Sequence, residues 1–362
     1  MEKFSLQIPI NSTSLGQVAI VLLRGIYKKG LYPNLFLIGN VDLNTQEEDS
    51  NFSSWVQQCV NKAYKEHSRS TPSLKLWHIQ ESMSRLSEKQ ALFTFHELDE
   101  LTESEVNTLN QQSLVITPSS FSKDLMQESG VKEVLQMNLP FDNFSFKKLD
   151  KVFFNDGRVN WILGGKLEQL RKRHTKVIQT WIKKYGGNMK HHLNLAIHNP
   201  FLTPEEQNKA YHDIVQGQRV PNIQFLGYIA KNLLYNDFLN SADVVIGMGN
   251  ESWGLPEFQA TAMGAHAIIG NYAGHKDWAN TNNAVLVDPS EKIRAVGDKF
   301  FREGGIFNQG NLYDFGEEQF LAACNTVVKR VEINKTNTAG LKLQEFTVDK
   351  FTDGILEAIS NL

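Results

Sequence analysis

Short apolar runs recur along this chain, each followed by a longer stretch with helical spacing, and no repeat or low-complexity tract interrupts the alternation. Several runs, such as Val244-Val-Ile-Gly247 and His266-Ala-Ile-Ile-Gly270, are continuous in their apolar character. A strand with one wet face alternates apolar and polar side chains, whereas a strand covered by helices on both faces is apolar throughout. The pattern therefore predicts an α/β chain with parallel sheets. In the first half strands are expected at Phe4–Pro9, Asn34–Gly39, Leu74–Ile79, Ala91–Phe95, Ser113–Thr117 and Glu133–Met137. In the second half they are expected at Val159–Gly164, His192–Ile197, Asn222–Gly227, Asp243–Gly247, His266–Gly270 and Ala284–Val287.

The chain has 362 residues, 41% of them hydrophobic and 21% charged, enough for two cores. Thr102 with Glu105, and Thr203-Pro204-Glu205-Glu206, read as capping boxes that start helices; Ser119 or Ser120 reads as a further cap. Asn138–Asn160 combines turn residues with no clean period and reads as the linker. Two Rossmann-like domains facing a cleft are expected, residues 1–150 and 151–342, with ligands at the carboxyl ends of the strands. A formal charge of −3 gives no electrostatic footprint for nucleic acid or an anionic membrane. Cys59 and Cys324 are too few and too distant for a disulfide framework or a zinc site. No run approaches membrane-span length and the first residues lack a signal-peptide pattern, so a cytoplasmic setting is expected.

Two segments carry chemistry. Ser241–Trp278 reads as a buried strand, a glycine-bearing loop, and a helix opened by Gly254-Leu255-Pro256. Free amides at such a helix start attract phosphate. Glu251 lies just before that start and Gln259 about one turn inside it. Glu251 reads as an exposed loop carboxylate, so neutralising it is expected to leave stability nearly unchanged. In Val159–Gly187 a strand ends at Gly164-Gly165 and is followed by Lys166, Arg171, Lys172 and Arg173. Cations there can offset the charge of a departing diphosphate. Loss of Arg171 or Lys172 is expected to lower turnover more than it disturbs folding. His78 and the pair His191-His192 lack metal-ligand spacing, and no metal site is expected.

Glu251-Ser-Trp-Gly-Leu-Pro256, the following Ala260-Thr-Ala-Met-Gly-Ala-His-Ala-Ile-Ile269 and Asn283-Ala-Val-Leu-Val-Asp-Pro289 resemble the donor-binding region of retaining GT-B glycosyltransferases of the family-4 type. That family has a second glutamate eight positions after the first; here the position holds Gln259. The resemblance implies two Rossmann-like domains and a last segment, residues 343–362, that crosses back to the first domain. It implies catalytic roles for Glu251, for Lys166 with either Arg171 or Lys172 on the diphosphate, and for His96 near the reacting sugar. It implies donor contacts from Gly16 over the phosphates, Tyr228 and Ile229 at the base, Trp253, Gly254 and Leu255 in the motif, Gln259 at the ribose, and His275.

The implied activity is transfer of a hexose from a UDP- or GDP-sugar to a hydroxyl acceptor, with retention. The nucleotide sugar is a co-substrate, and no other cofactor is required. The alternatives are the same chemistry on a polymer such as hydroxylated DNA bases, or non-catalytic nucleotide-sugar binding, the latter motivated by Gln259. Gly304–Phe315 matches no motif of the family.

Overall fold

The computed structural model of the chain describes residues 3–46, 49–151, 154–297 and 300–362. The first half forms β1 (Ser5–Ile8), α1 (Ser14–Lys28), β2 (Asn34–Leu37), α2 (Ser50–Glu66), β3 (Ser73–Leu76), β4 (Gln90–Phe93), α3 (Glu103–Leu109), β5 (Leu114–Thr117), α4 (Ser120–Glu128) and β6 (Val134–Gln136). The second forms β7 (Val159–Gly164), α5 (His174–Tyr185), β8 (His191–Ala196), α6 (Pro204–Ile214), β9 (Ile223–Phe225), α7 (Asn232–Asn240), β10 (Val244–Gly247), α8 (Leu255–Ala262), β11 (His266–Gly270) and β12 (Val285–Val287). After these come β13 (Glu291–Arg294), β14 (Asn311–Asp314), α9 (Glu317–Ile333) and α10 (Val348–Ser360).

Each predicted strand is present. Several end before the apolar run does: Ile79, Phe95 and Ile197 leave the ladder yet stay packed in the cores. Apolar burial and ladder membership are separate requirements, and only the first is visible as hydropathy. The two six-stranded sheets have orders β2-β1-β3-β4-β5-β6 and β12-β11-β10-β7-β8-β9, and their paired strands are parallel. In each, the first strand in sequence lies inside the sheet, so the chain winds outward both ways and leaves a crevice beyond the carboxyl ends of β1 and β7.

The expected helix caps are observed. Both capping boxes form, at Thr102–Glu105 and Thr203–Glu206, and Ser119 caps α4. The linker is tied to the second half by backbone bonds: Asp142 N donates to Gln259 Oε1 at 3.3 Å and Lys147 N to Asn236 Oδ1 at 3.0 Å. Helix α10 packs on α1, where Gly25 permits the approach: a Cβ there would lie 2.1 Å from Thr352 Oγ1.

One element was not foreseen. Strands β13 and β14 pair antiparallel as a separate hairpin. Glu291-Lys-Ile-Arg294 carries a single apolar side chain, so hydropathy gives no strand signal. The hairpin is held instead by a small core of Leu98, Ala295, Phe301 and Leu312, with Leu170 and Ile293 against it.

Candidate active site

Two loops at the carboxyl edge of the second sheet, after β7 and after β10, fold onto one another. Glycines permit the contact. Gly165 has φ +99°, and a Cβ at Gly249 would lie 3.2 Å from both Glu251 Oε1 and the Lys172 Cα. The loops are joined by Asn250 N donating to the Arg171 carbonyl at 2.9 Å. Arg171 returns the contact through Nη1, at 3.1 Å to the Asn250 carbonyl and 2.8 Å to Glu251 Oε2. Lys172 Nζ donates to Glu251 Oε1. On its other side Arg171 bonds Glu168 Oε2, 2.8 Å from Nη2 and 3.0 Å from Nε, and Glu97 lies 3.8 Å from Nη1.

The expectation of an exposed Glu251 is therefore corrected: its side chain is only 12% exposed and lies between two cations. Burial alone would raise its pKa; Arg171 and Lys172 outweigh that and hold the carboxyl well below the usual range. Glu168 behaves alike: burial opposes ionisation, and Arg171, Lys172 and Lys166 overcome it. Lys166 does not join the Glu251 pair. Its Nζ is 2.5 Å from Glu168 and sits over the rings of Phe201 and Phe300, 5.3 and 4.9 Å from their centroids.

Helix α8 starts at Gly254, whose φ of +87° only glycine adopts freely, and no side chain caps it. Beneath that start the buried His275 bonds Glu257, Nε2 to Oε1, at 2.9 Å. A Cβ at Gly254 would lie 2.5 Å from each of these atoms. Glu257 was not anticipated; its signal is a lone carboxylate among the small and apolar residues of α8. Gly274 N donates to the Glu251 carbonyl at 2.8 Å, which anchors the Glu251 loop from below.

The other residues named from the sequence have the following surroundings. Trp253 is 2% exposed and packs edge-on against Phe258 and Phe346, so its ring belongs to the core and not to the cleft wall. Gln259 is buried and engaged by the Asp142 amide. Tyr228 is 52% exposed beside His198, and Ile229 packs against the main core. Gly16, at the start of α1, fits tightly on Asn11: a Cβ would meet its carbonyl oxygen at 2.2 Å. Leu255 is the first residue of α8. His96 is buried, and its Nε2 bonds the Glu100 carbonyl at 2.9 Å. Its backbone meets Ser252 from the other half, with Ser252 Oγ donating to the His96 carbonyl at 3.2 Å.

That contact is one of several between the halves. Asp277 accepts from Ser120 N at 2.9 Å and from Gln136 Nε2 at 2.7 Å. The unforeseen hairpin supplies others. Asp99 accepts from Lys292 Nζ and from Asn311 N, both at 2.7 Å, and Glu105 accepts from Asn308 N at 2.9 Å. At its other end Tyr313 exchanges two bonds with the Asn250 side chain, at 2.8 and 2.9 Å. Gly304–Phe315 thus links the residue before Glu251 to the loop after β4.

Among the described residues no group of three or more His, Cys, Asp or Glu could hold a metal ion, and no helix is long and apolar enough to cross a membrane.

No protein-family model matches the chain, and no curated protein matches its sequence. Solved structures do match in shape. HepE of Anabaena, solved in complex with UDP and glucose, is similar with a TM-score of 0.68 at 14% identity, covering 99% of this chain and 100% of that one. A sucrose-phosphate synthase of Thermosynechococcus elongatus gives 0.68 at 11% identity, covering 99% of each chain. A glycosyltransferase of Rickettsia africae gives 0.69 at 12%, covering 100% of this chain and 99% of that one. Two parallel six-stranded sheets with this full-length likeness give the chain the GT-B fold.

Proposed function

We propose that the chain is a glycosyltransferase that moves a hexose from a nucleoside-diphosphate sugar to a hydroxyl acceptor with retention of configuration. The observation that carries this reading is the placement of Glu251 between Arg171 and Lys172, directly before the uncapped start of α8 at the carboxyl edge of a parallel sheet. The helix amides and the cations suit a diphosphate, and the carboxylate suits sugar hydroxyls. Fold likeness to HepE, whose structures hold UDP and UDP-glucose, supports a uridine nucleotide as the first donor to try.

Residues 1–150 take the acceptor side and 151–342 the donor side of the cleft. Of the two candidate cations, Lys172 is the better partner for the leaving group. Its ammonium bonds Glu251 alone among the described residues, whereas the Arg171 guanidinium is shared by Glu168, Glu251 and a carbonyl. As the anomeric C–O bond breaks, charge grows on the departing diphosphate. A cation that strengthens its contact at that moment lowers the barrier; one such contact contributes about 2.7–4 kcal/mol. The acceptor oxygen bonds the anomeric carbon on the same face, and its proton passes to the departing phosphate oxygen. His96 and Trp253 act here as structural supports, and the His275–Glu257 pair shapes the helix start.

The test is a panel of UDP- and GDP-hexoses with detection of free nucleoside diphosphate, which reads slow donor hydrolysis with no acceptor present. Release from at least one donor is expected. Binding of nucleotide with no release from any donor, even with hydroxyl acceptors added, would favour a binding protein instead.

A further inference from the structure

A second polar site lies in the first half, apart from the cluster around Glu251. Gln7 of β1 and Lys75 of β3 are register partners, so their side chains share a face of the sheet. Lys75 is 3% exposed and has no carboxylate partner among the described residues; its Nζ donates to the Glu81 and Ser84 carbonyls at 2.6 and 2.9 Å. A buried ammonium with a third N–H to place is costly unless something accepts it. Gln7 Oε1 is likewise buried with no hydrogen-bond partner among the described residues. Both residues line a pocket of about 400 Å³ with Trp77, Gln80, Glu81 and Met83. That volume falls among small-molecule sites, about 300–1,000 Å³. The Trp77 indole N–H donates to Glu81 Oε2 at 2.7 Å, which fixes the ring as a wall.

The pocket reaches the carboxyl edge of the first sheet, the edge that borders the crevice. Ile38 and Trp77 line it and directly follow β2 and β3. His78, next in the chain, is close enough to feel the charges of Glu97 and Lys166, which border the Glu251 cluster.

We propose that this pocket binds an uncharged sugar ring of the acceptor. The assignment rests on the glycosyl-transfer reading and names its acceptor class. A hydroxyl both donates and accepts, and the pocket offers both kinds of partner. Lys75 and Gln80 donate, while Gln7 Oε1 and the Glu81 carboxylate accept. Lys75 and Glu81 cancel in charge, and Glu81 repels an anion, so a phosphorylated or carboxylated ring gains nothing. The indole of Trp77 supplies the flat apolar surface on which the C–H face of a sugar ring stacks.

The test uses the full chain saturated with uridine diphosphate. Methyl α-D-glucopyranoside, methyl β-D-galactopyranoside, N-acetylglucosamine and glucose 6-phosphate are titrated by saturation-transfer NMR, and the Trp77 indole resonance is followed. At least one neutral sugar is expected to bind and to shift that resonance, with glucose 6-phosphate binding no tighter. Gln7→Leu and Trp77→Ala are expected to weaken the neutral sugar at least tenfold, and Trp77→Phe to restore much of it; melting temperatures identify any variant that fails to fold. No sugar binding, equal binding by the folded variants, or tighter binding of the phosphate overturns the pocket assignment. If neither uridine nor guanosine diphosphate binds, the glycosyl-transfer reading falls and the acceptor assignment falls with it.

Discussion

Arg171 stands between Glu251 and Glu168, with Nη1 2.8 Å from the first carboxylate and Nη2 2.8 Å from the second. One side chain therefore joins the loop after β10 to the loop after β7. Its neighbour Lys172 touches Glu251 from the other side and bonds no second carboxylate among the described residues.

The two cations should accordingly separate stability from turnover. Arg171→Ala leaves two buried carboxylates without their shared partner, a loss on the order of 3–5 kcal/mol. Lys172→Ala should cost less stability and lower donor turnover about 100-fold or more. Urea denaturation and nucleoside diphosphate release, measured on both variants, check the division. This revises the sequence-based expectation for Arg171, whose structural load becomes visible only once Glu168 and Glu251 are seen together.

Acid should destabilise the fold in two stages. Burial, aided by Lys172, pushes His174 down to about 3, and burial aided by Lys184 and Lys190 pushes His191 down to about 4. A depressed histidine binds its proton more readily when unfolded. Its stabilising contribution is full above the ordinary value near 6.5 and is lost as pH falls toward 3–4. Each unit of pH in that window costs roughly 1.4 kcal/mol per histidine. Glu251 and Glu168, also depressed, add their loss below about 4.5. Denaturation midpoints should hold from pH 7.5 to about 6.5 and then fall through pH 6 and 5, and His174→Asn should flatten that fall.

The strand series, the helix caps and the segments around Glu251 were legible because each depends on local pattern. Val244–Gly247 is a strand by hydropathy alone, and Thr102 with Glu105 is a cap by spacing alone. What stayed hidden depends on pairs far apart in the sequence. Strand β13 carries one apolar residue, Ile293, and Leu98 from the other half completes the core of its hairpin with β14. Trp253 reads like a ligand-facing aromatic until Phe346, nearly one hundred positions later in the chain, is found against it. Gln259, read as the ribose contact, also accepts the Asp142 amide on its carbonyl oxygen, a bond the sequence does not show.

The hairpin should act as a clasp between the halves. Asp99 is 9% exposed in its side chain and receives Lys292 and the Asn311 amide. Asp99→Ala leaves that amide without its partner and should cost about 1–3 kcal/mol. It should also let the halves part, read as a larger radius of gyration in solution scattering. An unchanged radius would mean that Asp277 and Ser252 hold the halves together without it.

Gly274→Ala should damage the site from below. Its added Cβ would lie 2.0 Å from the Ser252 carbonyl oxygen and 2.9 Å from that of Glu251, both backbone atoms that cannot swing aside. Overpacking of this kind costs about 1–3 kcal/mol. Because the strain falls on the Glu251 loop, turnover should drop by a larger factor than nucleotide affinity.

The most direct test of the account is Glu251→Gln, followed by donor turnover and nucleoside diphosphate affinity on the same folded sample. Gln keeps the size and can still accept from Arg171, but the charge between Arg171 and Lys172 is lost. A stability loss on the order of 3 kcal/mol is expected, larger than for an exposed carboxylate. Nucleotide affinity should stay within about tenfold, while kcat falls roughly 100-fold or more. A folded Glu251→Gln protein that binds nucleotide and turns over donor at the wild-type rate would contradict the account.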